Sequence, residues 1–167
     1  MTGILVAIAF LALFTLLAYN RFVLMRHASD KILSGMEPLF EERDALIGQW
    51  IQQVPESVKD REPLWGRLHE LVNRSSDDPL TANQKVAHDN LIREMVDMIK
   101  GKEEQASEAA PGSQQLQALN EKEKQLDAHR QSYNKNTTDY NNAIQLFPSN
   151  VFALIFTFKT RKLFKGL

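Results

Sequence analysis

The first twenty residues carry no charged side chain, and Ile4 to Leu17 is almost wholly apolar. A hydrocarbon core about 30 Å thick needs a helix of roughly 20 such residues, and this run with its polar shoulders supplies one. The first charge is Arg21, after which apolar character resumes through Phe22, Val23, Leu24 and Met25. A cleaved signal peptide needs a basic n-region and a small-residue cleavage site. Here Met1-Thr2-Gly3 has neither Lys nor Arg, and the candidate site at Ala18 is followed by bulky Tyr19. A buried helix apolar on every side needs a larger domain than 167 residues provide. The run therefore reads as a transmembrane anchor over residues 1–25. Arg21, Arg26 and Lys31 follow it and no Lys or Arg precedes it. That bias places the N-terminus outside and the remainder in the cytoplasm.

The remainder has room for one domain. A net charge of −1 and a pI near 6.4 argue against a polyanion-binding surface, so no nucleic-acid partner is expected. The chain has no cysteine, which excludes disulfides, thiolate catalysis and Cys-based zinc sites. Seven glycines and six prolines suit long helices better than strands with tight turns. The fold expected is all-α: the anchor helix continues into an elongated antiparallel helical bundle over residues 26–148.

Spacing supports this element by element. Ile32, Leu33, Met36, Leu39, Phe40, Ile47, Trp50, Ile51 and Val54 recur at three and four residues, marking one helix face, with Pro38 inside it and Pro55 ending it. Leu64, Trp65, Leu68, Leu71 and Val72 line a second helix, and Ser75 to Pro79 is a turn cluster. Thr81 caps a third, whose inward positions are Val86, Leu91, Ile92, Met95, Val96 and Ile99. Gly101 to Gly112 reads as a loop. A fourth helix from about Ser113 to Phe147 carries a heptad seam at Leu119, Leu126, Tyr133, Tyr140 and Phe147. Leu116, Glu123, Arg130, Thr137 and Ile144 flank it; Glu123 and Arg130 lie either at a solvated edge or in a partly buried register device. The first and fourth helices each extend roughly 50 Å beyond the anchor at 1.5 Å per residue. Antiparallel packing would thus return Pro148 to the bilayer surface.

Residues 149–167 form a basic, aromatic, amphipathic tail. Lys159, Arg161, Lys162 and Lys165 alternate with Phe156, Phe158, Leu163 and Phe164, without an acidic residue. Such a stretch suits an anionic membrane surface, so lipid is an expected partner. Alternatively its apolar half caps the bundle.

At the fourth helix the sequence resembles the bacterial LemA family. Arg130 precedes the pairs Tyr133-Asn134 and Tyr140-Asn141, and Phe147-Pro148-Ser149-Asn150 follows. Glu123 stands upstream, Tyr19-Asn20 follows the anchor, and Arg43 with Leu46-Ile47 resembles a further family stretch. Differences from the family pattern are Ala45 for Asp, Gly48 for Pro, Thr137 for Val, and Thr157 for a frequent Gly before Phe158. Lys165-Gly166 also stands where the family has an acidic ending. The resemblance implies an N-terminally anchored protein of the bacterial inner membrane with a cytoplasmic helical bundle. It implies no established biochemical role.

The residues themselves suggest no enzyme. His27, His69, His88 and His129 are dispersed, the acidic pairs are consecutive, and no glycine-rich phosphate loop or serine elbow is present. No cofactor, metal or small-molecule substrate is expected. Asn120, Asp127, Asn134 and Asn141 form a polar column beside the aromatic seam, every seventh residue. They either bond another helix and fix its register, or dock a second protein or another copy of the chain. The candidate packing and interaction residues are Arg130, Tyr133, Asn134, Tyr140, Asn141, Phe147 and Pro148. Lys159, Arg161, Lys162 and Lys165 are the candidate membrane-surface residues. The expected function is a membrane-tethered scaffold or adaptor that forms homo-oligomers or recruits a membrane protein. The alternative is a membrane-shaping or envelope-stress protein acting on lipid through its tail.

Overall fold

The computed structural model describes residues 1–59, 63–73, 80–105 and 113–166. Every element in it is helical: α1 (Thr2–Gln53), α2 (Glu56–Lys59), α3 (Leu64–Val72), α4 (Ala82–Gln105), α5 (Ser113–Gln145) and α6 (Ser149–Ile155). The expected turn at Ser75–Pro79 and the loop tip Ala109–Gly112 lie outside the described residues.

Helix α1 runs 52 residues without a break. Pro38 sits inside it on the exposed side, as does Ser34, whose carbonyl loses its partner. Water can satisfy that carbonyl, so the helix continues. It ends where Val54 turns extended ahead of Pro55, the conformation a following proline favours. Its N-terminal third is long and apolar enough to cross a membrane, with mean hydropathy 2.3 over a window of which 6% is buried. Such low burial separates it from the core helix of a water-soluble domain.

Below that span α1 buries Phe22, Ser29, Met36, Arg43 and Trp50, an unbroken seven-residue repeat. Helix α5 answers with Leu119, Leu126, Tyr133 and Tyr140. The two pack antiparallel: Trp50 and Leu119 share one apolar cluster, Met36 and Tyr133 a second, and Phe22 and Tyr140 a third. Knob positions repeating every seventh residue on both helices make this a coiled-coil seam. At the far end Trp50 meets Trp65 of α3 edge-on, ring centroids 4.8 Å apart, closing the bundle away from the span.

Several boundaries differ from the sequence reading. Thr81 does start α4: its backbone N–H and its hydroxyl both donate to Oε1 of Gln84, one arm of a capping box. The helix then continues through Gly101 to Gln105, where a loop was expected, because α4 buries a stripe as far as Ile99 and helical hydrogen bonding carries on past it. Leu91 is exposed rather than inward. Helix α5 ends at Gln145, so Phe147 leaves the heptad seam and is 83% exposed.

Helix α6 follows a cis Phe147–Pro148 peptide and packs back on α1. Phe152 lies against Phe14, and Tyr19 meets both Phe156 and Phe158. Its end is a Schellman motif: Phe158 N–H donates to the Ala153 carbonyl and Thr157 N–H to that of Leu154. The motif needs a left-handed residue, and Thr157 takes it at φ 58°. A β-branched residue there costs about 1–2 kcal/mol, which glycine avoids. Thr157→Gly should therefore stabilise the fold by about 1 kcal/mol, seen as a higher midpoint of thermal unfolding.

Candidate functional site: a buried charge cluster and an asparagine-lined groove

The polar positions of the two heptad seams meet one another. Thr137 donates to Ser29 at 3.1 Å, and Glu123 lies 3.9 Å from Arg43. Between them Asp89, inward on α4, accepts from Arg43 Nη1 and from Arg130 Nε and Nη2, the latter two at 2.9 Å. Arg130 also donates to Glu123 at 2.7 Å and to Asp127 at 2.9 Å, while Arg43 donates to Asp44. Arg43, Asp89 and Arg130 are all buried. Three helices are thus joined through one carboxylate, with each guanidinium held in its planar fork.

Arg130 is therefore buried and Glu123 half-buried against it, so neither lies at a solvated edge. Arg43, Ser29 and Asp89 escaped the search for candidate residues because it followed apolar spacing. The signal was available: Ser29 and Arg43 fall on the repeat of Phe22, Met36 and Trp50.

Electrostatics follow from this packing. Burial would lower the Arg130 pKa, but hydrogen bonding and charge from Asp89, then from Glu123, hold it above its ordinary value. Asp44 is pushed up from 3.8, first by burial, with Arg43 opposing. A carboxyl raised on folding adds stability below its unfolded pKa and loses it as pH rises through the folded value. Asp44→Asn should accordingly match or exceed the parent stability at pH 7, and the advantage should vanish below about pH 4. Chemical denaturation at the two pH values checks this.

The second feature is a groove between α4 and α5 that holds residues 159–166. Asn141 brackets Arg161, donating to its carbonyl at 2.9 Å and accepting its N–H at 2.8 Å. Asn134 brackets Phe164 in the same way, at 2.8 and 2.9 Å. From α4, Asn83 accepts the Lys162 N–H, and Asn90 donates to the Leu163 carbonyl and accepts the Lys165 N–H. Tyr140 donates to the Lys159 carbonyl, and Arg93 to the carbonyls of Lys165 and Gly166. Each helix contributes two asparagines seven residues apart, so the amides line up along the groove and pair backbone groups of an extended chain.

Two side chains anchor that chain. Phe164 is buried against Tyr133, centroids 5.1 Å apart, and lies under the Arg130 guanidinium. Arg161 pairs with Asp30 of α1. The other side chains, Lys159, Lys162, Leu163 and Lys165, are exposed.

The expected sites are thus placed as follows. Arg130, Tyr133, Asn134, Tyr140 and Asn141 converge on the cluster and groove, whereas Phe147 and Pro148 sit exposed at the turn into α6. The polar column divides: Asn134 and Asn141 bond the extended tail, whereas Asn120 accepts from Lys100 of α4 and Asp127 pairs with Arg93 of α4 and Arg130 of α5. The four tail cations do not act alike, since Arg161 is committed to Asp30 while the lysines are free of the core. The stretch 149–167 was expected as one amphipathic element; its described residues divide into α6, packed beside the span, and residues 159–166, docked in the groove.

A long antiparallel helix pair, with a membrane-length apolar extension and a charge-clamped core, defines a helical-bundle protein with a candidate N-terminal membrane span. The LemA family model matches residues 34–166, and the chain belongs to the LemA family. No curated protein and no solved structure was found to match it.

Proposed function

We propose that this chain is a membrane-tethered helical scaffold of the bacterial inner membrane, with its N-terminus outside and its bundle in the cytoplasm. It works by self-association or by recruiting a membrane partner, and not as an enzyme. One observation carries the reading: the apolar span and the bundle's central strut are the same helix, so the bundle is held rigidly upright from the bilayer. Tethering confines encounters to two dimensions and raises effective concentration. Arg21, Arg26 and Lys31 follow the span closely and supply the positive-inside bias. The carboxylates at the heart of the bundle are bonded to guanidiniums, which suits a lock better than a proton-transfer site.

The test is the mass of the intact protein in nanodiscs together with co-purification from detergent-solubilised membranes. Oligomers or a stoichiometric membrane partner are expected; monomer alone without a partner would overturn the reading.

A second reading, action on lipid, is favoured by a particular surface. Leu146, Phe147, Val151, Leu154 and Ile155 are exposed on α6 and the turn before it, an apolar surface next to the α6 residues that pack on Phe14, Ala18 and Phe22. Large exposed apolar patches mark contact with protein or membrane. With Lys159, Lys162 and Lys165 nearby, this surface suits an anionic leaflet. If it acts on lipid, changing these three lysines to glutamine should abolish binding of the span-deleted protein to anionic vesicles. Unchanged binding would remove this reading.

A further inference from the structure

We propose that an anionic phospholipid of the inner leaflet binds between α1 and the end of α6, with its phosphate at Arg26 and Lys159 and an acyl chain along Ile8 to Tyr19. This rests on the membrane-spanning reading above and is independent of self-association.

Two adjoining clefts make the site. The first, of about 540 Å³, is walled by Ile8, Leu11, Ala12, Thr15 and Tyr19 of α1 and by Phe156. The Thr15 hydroxyl donates to the Leu11 carbonyl at 2.7 Å, so it leaves no unpaired donor in this wall. Tyr19 meets Phe156 edge-on, centroids 5.2 Å apart, at the end nearest the bundle. From Ile8 to Tyr19 the helix rises roughly 16 Å, close to the hydrocarbon depth of one leaflet, half of about 30 Å.

The second cleft, of about 350 Å³, is basic: Arg26, Lys159 and Arg161 line it together with Tyr140, Thr157 and Thr160. Phe156 lines the first cleft and Thr157 the second, while Tyr19 and Arg26 lie seven residues apart on one stripe of α1. Arg161 is paired with Asp30, and the Tyr140 hydroxyl donates to the Lys159 carbonyl. The side chains of Arg26, Lys159, Thr157 and Thr160 have no hydrogen-bond or ion-pair partner among the described residues. Two cations and two hydroxyls are thus free to hold a phosphate through charge-assisted bonds. Arg26 follows Arg21 by five residues, roughly 7.5 Å along the helix and about the depth of one headgroup layer. The apolar cleft would accept any acyl chain; the basic cleft at its mouth selects the headgroup. A zwitterionic lipid would bring its ammonium to a wall that no described Asp or Glu lines, which favours the anionic one.

The test uses full-length protein in nanodiscs of equal phosphatidylglycerol and phosphatidylcholine, extracted in mild detergent and weighed intact. Retention of phosphatidylglycerol is expected, favoured over phosphatidylcholine on the order of tenfold or more. Arg26→Gln with Lys159→Gln should bring the two lipids to near parity, and both side chains are exposed, so the bundle stays folded. Lys162→Gln with Lys165→Gln removes the same charge outside the cleft and should leave the preference unchanged. Ala12→Phe, which fills the apolar cleft, should release the lipid, whereas excess glycerol phosphate should not displace it. Parity of the two lipids in the parent, equal losses in the two charge variants, retention by Ala12→Phe, or displacement by glycerol phosphate each overturns the site and leaves the span standing. Protein that does not enter the nanodiscs overturns the span reading and the site together.

Discussion

Asp89→Ala is expected to cost about 3–5 kcal/mol of folding free energy. Asp89 is 2% exposed and receives hydrogen bonds from two buried guanidiniums. Its removal leaves both in a medium that solvates charge poorly. Asp44 still compensates Arg43, and Glu123 and Asp127 still compensate Arg130, which places the loss toward the lower end of that range. A domain is stable by roughly 5–15 kcal/mol, so even the lower figure is a large fraction. Denaturant titration followed by the fluorescence of Trp50 and Trp65 measures the loss, as a lower midpoint at an unchanged slope. Replacing Arg43, Asp89 and Arg130 together by Met, Leu and Met should recover part of it, because no buried guanidinium then remains and the partly exposed Asp44, Glu123 and Asp127 can turn to water. If the triple variant is less stable than Asp89→Ala, packing and not charge compensation governs the site.

Phe164→Ala is expected to release the tail while leaving the bundle folded. Truncating a buried phenylalanine costs about 3–5 kcal/mol when the residue cannot escape. Phe164 belongs to a segment that can leave as a unit, so the global loss is capped by the free energy of docking. The hydrogen bonds from Asn83, Asn90, Asn134, Asn141, Tyr140 and Arg93, each worth about 1 kcal/mol net, would have to hold the tail with only the Arg161–Asp30 pair to help. Amide exchange reads the outcome directly. Protection at residues 161–165 should collapse toward exposed-chain rates, with the α1–α5 seam unchanged. Retained protection would mean that the amide ladder, and not the aromatic anchor, seats the tail.

The two substitutions act on features that differed in how legible they were. Helix positions followed from apolar periodicity, which reports burial wherever the buried residue is greasy. Leu119, Leu126, Tyr133 and Tyr140 were found that way. Periodicity failed where the buried residue was charged or small and polar, at Ser29, Arg43 and Asp89, since such a residue reads as surface until its partners are known. It also failed at Leu91 and Phe147, apolar residues left exposed because α4 turns Leu91 outward and α5 stops two residues short of Phe147. Asn134 and Asn141 stood out by spacing, yet their partners lie 30 and 20 residues away along the chain, in an extended segment without periodic pattern.

By itself the sequence determined the apolar span, the helical class, the antiparallel return and the family. Each of these depends on local composition and repeat, which the order of residues states outright. Tertiary structure alone decided that two arginines share Asp89 and that the tail leaves α6 to lie among asparagines. It also decided that Thr157 bends left-handed. Those outcomes depend on which distant groups are brought within hydrogen-bonding reach once α1, α4 and α5 are packed, and no local pattern encodes that proximity.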